Sequence, residues 1–317
     1  MNRAGRLTIL AALVVLAFAA SLGAGKQGLP WGHDAATAII IELRLPRALL
    51  GLLIGAMLGM SGAVMQGFLR NPLADPGVVG VSSSAALGAV AVILYVGAGS
   101  LGVFAGAMAG ALAAMALLVA LTWRGADPVA FVLAGTVLAS LAGALTAFLI
   151  AIAPNPYAVA SVLDWLMGAL TDRGLADVAR AAPPILVGLL LLATTGRALD
   201  ALALGEGAAR SLGVDLVRVQ ALVVLGTGLG VGAGVAATGV VGFVGLVVPH
   251  LLRPLFGHRP SDLLPSALGG AVLLLVADCL CRLAPGASEV RLGVAMALIG
   301  APFFLILLLR RRGQAWI

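Results

Sequence analysis

Charge is what this chain has least of. Lysine occurs once, at Lys26, and charged residues fill only 10% of 317 positions, against about 25% in soluble domains. A chain so poor in charge cannot clothe a water-facing surface, which excludes an ordinary soluble domain. The two cysteines, Cys279 and Cys281, lie two apart inside an apolar run; this is neither a disulfide framework nor a zinc-ligand pattern. The lone lysine is followed by Gln27, so no Gly-Lys-Ser/Thr loop exists and ATP is not bound by that route. HExxH and GxSxG elements are missing as well, which argues against an intramembrane hydrolase. Asp278 is the one acid placed well inside an apolar run. Ion-coupled transporters usually carry several such groups, so an energy source outside this chain is expected.

What the chain has in abundance is apolar sequence. Hydrophobic residues make up 62% and glycine 43 positions. In lipid, small residues let helices approach closely, and packing drives their association. Apolar runs bounded by charge, Pro or Gly fall near 7–25, 46–69, 81–97, 101–122, 129–152, 181–196, 216–236, 238–257, 264–284 and 291–309. The expectation is one all-α polytopic membrane domain over 1–317 with about ten transmembrane helices. The least regular runs are 81–97 and 238–257. An even count puts both termini on one side, and most of the 19 Lys and Arg residues, led by Arg3, Arg6, Arg70, Arg210 and Arg253, then share that side. The positive-inside rule makes it the cytosol. The net charge of +6 is thus read as a topology signal, not as a nucleic-acid surface. The first run also resembles a signal peptide in its basic start and small-residue end.

The stretch Leu43–Val81 organises the reading. A helix from Pro46 to Leu69 is roughly 36 Å long at about 1.5 Å per residue, enough to cross a hydrocarbon core. Pro46 suits a first helical position. Arg44 and Arg47 flank that end, where the helix dipole favours anions; they either await an anionic partner or anchor in headgroups. Asn71-Pro72 ends the span, and Asp75-Pro76-Gly77 makes a turn, after which Ser82–Ser84 are placed to cap the next helix.

Three further segments stand out. NPYAVASVLDWL, with Tyr157 and Trp165, reads as an amphipathic piece along the outer surface. The loop of about 197–217 is the most charged internal segment. Within it Glu206 and Arg210 stand four apart and Gly213 sits where a left-handed helix stop belongs, so Glu206–Leu212 is expected to be a two-turn helix. So short a helix is marginal alone and suits a groove. Asp278 has Arg282 one turn away as its expected partner, which favours a structural pair over a proton relay. His250 beside Pro249 is read as a structural residue before a ligand.

Taken together, Arg44-Leu45-Pro46-Arg47, Ser61-Gly62-Ala63, Asn71-Pro72-Leu73-Ala74-Asp75-Pro76-Gly77, Ala203-Leu204-Gly205-Glu206 through Gly213, Gly242-Phe243-Val244-Gly245-Leu246 with Pro249-His250 and Arg253, and Gly300-Ala301-Pro302-Phe303 resemble the FecCD family of ABC-importer permeases. The resemblance implies a type II importer permease fold and a second permease copy, forming a homodimer, with two cytosolic ATPase subunits and a periplasmic binding protein. ATP and magnesium would be used by the ATPase; no cofactor or metal is expected on this chain. Arg44, Arg47 and Arg282 would dock the binding protein, and Glu206, Ala209 and Gly213 would couple to the ATPase. Asn71, Pro72, Asp75 and Pro76 would form an inner-mouth turn, and Thr136 and Ser140 would help line the pathway. The location would be a bacterial inner membrane. The cargo order is iron-siderophore first, then haem, then cobalamin. One departure from the family pattern is Arg291, where a proline is usual.

Overall fold

The computed structural model describes residues 2–25, 36–122, 128–286 and 289–312; Lys26, His33 and Arg124 lie outside them, as do the side chains of Arg310–Arg312. The described residues contain no strand. The helices are α1 (Arg3–Gly23), α2 (Ala36–Ala38), α3 (Leu45–Phe68), α4 (Val81–Ala91), α5 (Ser100–Thr122), α6 (Pro128–Ala151), α7 (Pro156–Leu166), α8 (Leu175–Ala193), α9 (Gly196–Leu202), α10 (Glu206–Ser211), α11 (Leu216–Thr238), α12 (Val244–Phe256), α13 (Leu263–Leu283) and α14 (Leu292–Arg312). Seven described helices are long and apolar enough to cross a membrane. Three shorter apolar helices, Val81–Val96, Val244–Phe256 and Leu292–Leu307, bring the set into register with the ten apolar runs of the sequence.

At the centre lie α3 and α11, whose spans are 72% and 78% buried, whereas α1 is 17% buried. α3 packs against α13, α8 and α12. Small residues permit this. A Cβ on Gly55 would fall 2.4 Å from Gly270 O, and one on Gly62 would fall 2.0 Å from Gly245 O. Backbones therefore touch where a side chain would hold them apart.

Two boundaries depart from the sequence reading. The second span does not start at Pro46: a π-helical turn, Ile39–Arg44, leads into α3, and Leu45 N–H donates to Ile40 O. The helix thus continues backwards through the proline, with the wider π turn taking up the altered hydrogen-bond register. Arg44 and Arg47 consequently lie along a helix rather than at a bare positive end. The expected span 238–257 is a shorter helix, because Gly239 (φ 75°) and Phe243 (φ 68°) take left-handed conformations and 239–243 is irregular. α12 therefore begins midway along α3, beside Leu58 and Gly62.

The helices run so that two groups of polar residues collect at opposite ends of the bundle. One end gathers Arg3 with Asp262, and Arg70 with Glu206. The other gathers Arg47, Asp278 and Arg282, with Arg180 on the first turns of α8 and Arg291 just before α14.

Candidate functional site

At the end that holds Glu206, the expected two-turn helix is present as α10, Glu206–Ser211. Gly205 (φ 102°) enters it and Gly213 (φ 81°) leaves it. Gly213 N–H donates to Arg210 O, and Val214 N–H to Ala209 O. These bonds satisfy carbonyls that a short helix otherwise leaves open. Ala209 is fully buried, whereas Leu204 and Leu212 are 71% and 65% exposed. The inward small residue seats the helix; two leucines stand proud on a polar face. Arg70 Nη2 reaches Glu206 Oε1 at 3.0 Å, tying the end of α3 to the start of α10. A hollow of about 510 Å³, lined in part by Arg197, Leu212, Asp215 and Arg218, opens beside it.

Asn71, Pro72, Asp75 and Pro76 divide between two short turns, one at Pro72-Leu73 and the 3-10 turn Pro76–Val79. Asn71 is exposed and its Oδ1 accepts from Leu73 N–H at 3.0 Å. Asp75 and Pro76 turn back into the bundle: a Cβ on Gly245 would meet Pro76 Cδ at 3.0 Å and Asp75 Oδ2 at 3.1 Å. Asp75 Oδ1 accepts from Gly77 N–H at 2.8 Å and caps the 3-10 turn Pro76–Val79. Ser82 and Ser83, expected as caps, lie inside α4, whose N-cap is Gly80. They line, with Asp75 and the irregular segment 240–243, a cavity of about 210 Å³. Gly80 takes a left-handed φ of 80°, and a Cβ there would also lie 3.1 Å from Gly135 O and Ala139 N of α6.

At the opposite end, Asp278 is fully buried and accepts from two arginines. Arg47 Nε and Nη2 donate to its Oδ1 at 2.9 and 2.8 Å, and Arg282 Nε donates to Oδ2 at 2.9 Å. Arg282 also donates to Ser21 Oγ at 2.6 Å and to Ser21 O at 2.9 Å. Arg47 Nη2 lies 2.8 Å from Glu289 Oε2. Arg44 Nη1 donates to Leu22 O and Gly23 O at 2.9 and 3.1 Å, cations and carbonyls meeting where the α1 dipole is negative. The three arginines expected as a docking set are thus brought together, but as a clamp on the ends of α1, α3 and α13. The Arg282 side chain is 4% exposed and that of Arg47 11%. The Arg282 guanidinium already has internal acceptors in Asp278, Ser21 and Ala24. The pairing of Asp278 with Arg282 was legible from the i, i+4 spacing; the larger share taken by Arg47 was not.

Arg291, the residue standing in the usual proline position, lies 2.5 Å from Asp164 of α7 and donates to Thr171 Oγ1 at 3.1 Å. It ties the start of α14 to α7 and borders a hollow of about 250 Å³ that also holds Trp165 and Arg173. Burial pulls the Arg173 guanidinium below its ordinary value, opposed by Asp177 and Asp172. Thr136 and Ser140 are exposed on α6. His250 packs edge-on against Phe303, ring centroids 5.8 Å apart, which joins α12 to α14. Among the described residues no His/Cys/Asp/Glu group is arranged to hold a metal ion.

The FecCD transport family model matches residues 7–310. The chain belongs to the FecCD transport family. It is 41% identical to the cobalamin import system permease protein BtuC of Halobacterium salinarum, over 95% of this chain and 80% of that one. It is 39% identical to the vitamin B12 import system permease protein BtuC of Salmonella paratyphi A, over 95% and 94%. Its fold is similar to a solved ABC transporter assigned to the metal-chelate type, in an inward-facing conformation, with TM-score 0.89 and 32% identity, covering 96% of this chain and 99% of the other. This FecCD chain is a multi-pass permease subunit of an ABC importer, a kind of transporter that works with an ATPase and a binding protein.

Proposed function

We propose that this FecCD permease carries a corrinoid, cobalamin first, from a periplasmic binding protein across the inner membrane to the cytosol. The observation that carries this cargo is the likeness to two permeases named for cobalamin and vitamin B12, at 41% and 39% identity over 95% of the chain. It moves cobalamin ahead of iron-siderophore and haem, which other members of the family take. Two copies of the chain enclose the pathway, with the exposed α6 face that bears Thr136 and Ser140 turned toward it. The chain itself performs no covalent chemistry; ATP, with magnesium, is hydrolysed by separate cytosolic subunits.

α10 is the coupling element. Its exposed Leu204 and Leu212 neighbours offer apolar knobs to a groove in the ATPase, and Arg70–Glu206 passes movement of α10 to α3. That face, with both termini, is cytosolic, in keeping with its arginines. On the outer face a carboxylate of the binding protein docks at Arg44 and at the edge of Arg47 that Glu289 now occupies. Arg282 acts behind them, by holding Asp278 and so the Arg47 fork. Competitive binding of cobalamin, a ferric siderophore and haem to the partner binding protein, followed by uptake of each into vesicles holding the complex, tests the cargo. Uptake of cobalamin alone supports the reading; uptake of the siderophore or haem without cobalamin overturns it.

A further inference from the structure

At the end of the bundle that holds α10, a separate cleft opens between the end of α3, α12 and the start of α13. Its volume is about 200 Å³, and its polar lining includes Gln66, Arg70, Arg253, His258, Arg259 and Asp262. The site is built rather than incidental. Gln66 is 3% exposed; its Nε2 donates to Gly245 O at 3.1 Å, which turns Oε1 toward Arg253, whose Nη2 donates to it at 2.6 Å. The one lining carboxylate, Asp262, is engaged by Arg3. Arg6 of the same helix donates to Leu255 O at the rim. α1 therefore sets two further guanidiniums beside a cleft whose own lining holds three, Arg70, Arg253 and Arg259. Glu206, the nearest acid on α10, is held by Arg70.

Apolar surface lies next to the cationic floor. Leu251 and Leu255 of α12 are each 52% exposed and Leu264 of α13 is 55% exposed; Ile9 and Leu13 of α1 are 49% and 44% exposed. Arginines at the end of helices with exposed leucines along their sides match an amphiphile with an anionic head. Basic pockets between spans at the cytosolic boundary are suited to anionic lipid headgroups, and planar guanidiniums bind phosphate oxygens in pairs.

We propose that this cleft binds the phosphate of an anionic phospholipid, its headgroup between Arg253 and Arg259 and its acyl chains along Leu255 and Leu264. Through Arg70 the bound phosphate competes with Glu206 and so bears on the seating of α10. The proposal rests on the reading of this face as cytosolic only for which leaflet supplies the lipid; binding itself is independent of that reading and of the cargo.

The test is native mass spectrometry of the permease–ATPase complex in detergent, titrated with phosphatidylglycerol, phosphatidylcholine or inorganic phosphate. Phosphatidylglycerol should bind with a preference over phosphatidylcholine that falls about fivefold in Arg259→Gln, and further in Arg253→Gln. Arg180→Gln, at the opposite end, should leave the preference unchanged. Arg259 is exposed, so its variant remains folded even where Arg253→Gln is not recovered. An unchanged preference in Arg259→Gln overturns the site. Binding of inorganic phosphate that depends on Arg259, without any preference for the anionic lipid, overturns the lipid assignment.

Discussion

Arg47 and Asp278, 231 residues apart in the chain, are joined by a two-pronged ion pair inside the bundle. The carboxylate is shared with Arg282 one turn further along α13. Burying charges is costly, and such a group is tolerated only with good geometry and further hydrogen bonds. Here Ser21 and the end of α1 supply them. Asp278→Ala leaves two buried guanidiniums without their shared anion, at an expected cost of about 3–5 kcal/mol. Thermal unfolding of the detergent-solubilised complex should show a large loss against Asp177→Ala, whose partner Arg180 is part-exposed. Equal shifts in the two variants contradict a supporting role for the cluster.

The close approach of α3 to α12 gives a second prediction. A methyl on Gly62 meets the Gly245 backbone at 2.0 to 2.4 Å, whereas Gly143 on α6 faces open space. Gly62→Ala should lower the yield of folded complex sharply, since neither backbone can give way without moving its helix. Gly143→Ala should leave the yield of the isolated complex unchanged. Size-exclusion profiles after identical solubilisation compare them.

Gly213 separates two effects at α10, the proposed coupling helix. Its φ of 81° is closed to proline, which is fixed near −65° and lacks the N–H that Arg210 O receives. Gly213→Pro should abolish most substrate-stimulated ATPase activity while assembly is at least partly retained. Gly213→Ala, strained by about 1–2 kcal/mol in a left-handed conformation, should fall between. Full stimulation in the proline variant contradicts coupling through α10.

Much of this architecture is legible in the sequence, and the exceptions have physical causes. The apolar runs locate the spans because a hydrocarbon core demands long unbroken stretches. Glu206, Arg210 and Gly213 announce α10 because spacing and a helix stop are local signals. Arg47–Asp278 and Arg70–Glu206 are pairings between distant segments, and no local period encodes them. The helix running back through Pro46 was hidden because a proline ordinarily marks a beginning; a π turn removes that reason. The return of Asp75 toward Gly245 is likewise not local: a polar turn carries no sign of the distant glycine that makes room for it. For Arg44 and Arg47 the residues alone leave docking and anchoring open, whereas Arg282 already reads as the partner of Asp278; the structure adds Arg47 to that pair and makes a clamp between helices.

Arg70–Glu206 should matter to coupling more than to stability. Both side chains are part-exposed, at 42% and 30%, and such pairs contribute under about 1 kcal/mol. Arg70→Ala should leave the melting temperature nearly unchanged and lower the amount of cargo moved per ATP. Salt should weaken the wild-type pair and leave the variant indifferent. A large fall in melting temperature with normal coupling contradicts the assignment.

Glu289 lies against Arg47, and in the proposed docking it competes with the carboxylate of the binding protein. Glu289→Gln should strengthen association with the binding protein, Arg44→Glu should weaken it, and both effects should be largest at low salt. Surface-immobilised complex titrated with the binding protein measures them; affinities that do not move in either variant remove the outer docking site.

The most direct measurement is cobalamin uptake into proteoliposomes that contain this permease with its ATPase, supplied with loaded binding protein on one side and ATP on the other. The account predicts uptake that requires ATP and the binding protein and stops when the ATPase is catalytically inactive. Uptake that continues with the inactive ATPase contradicts it.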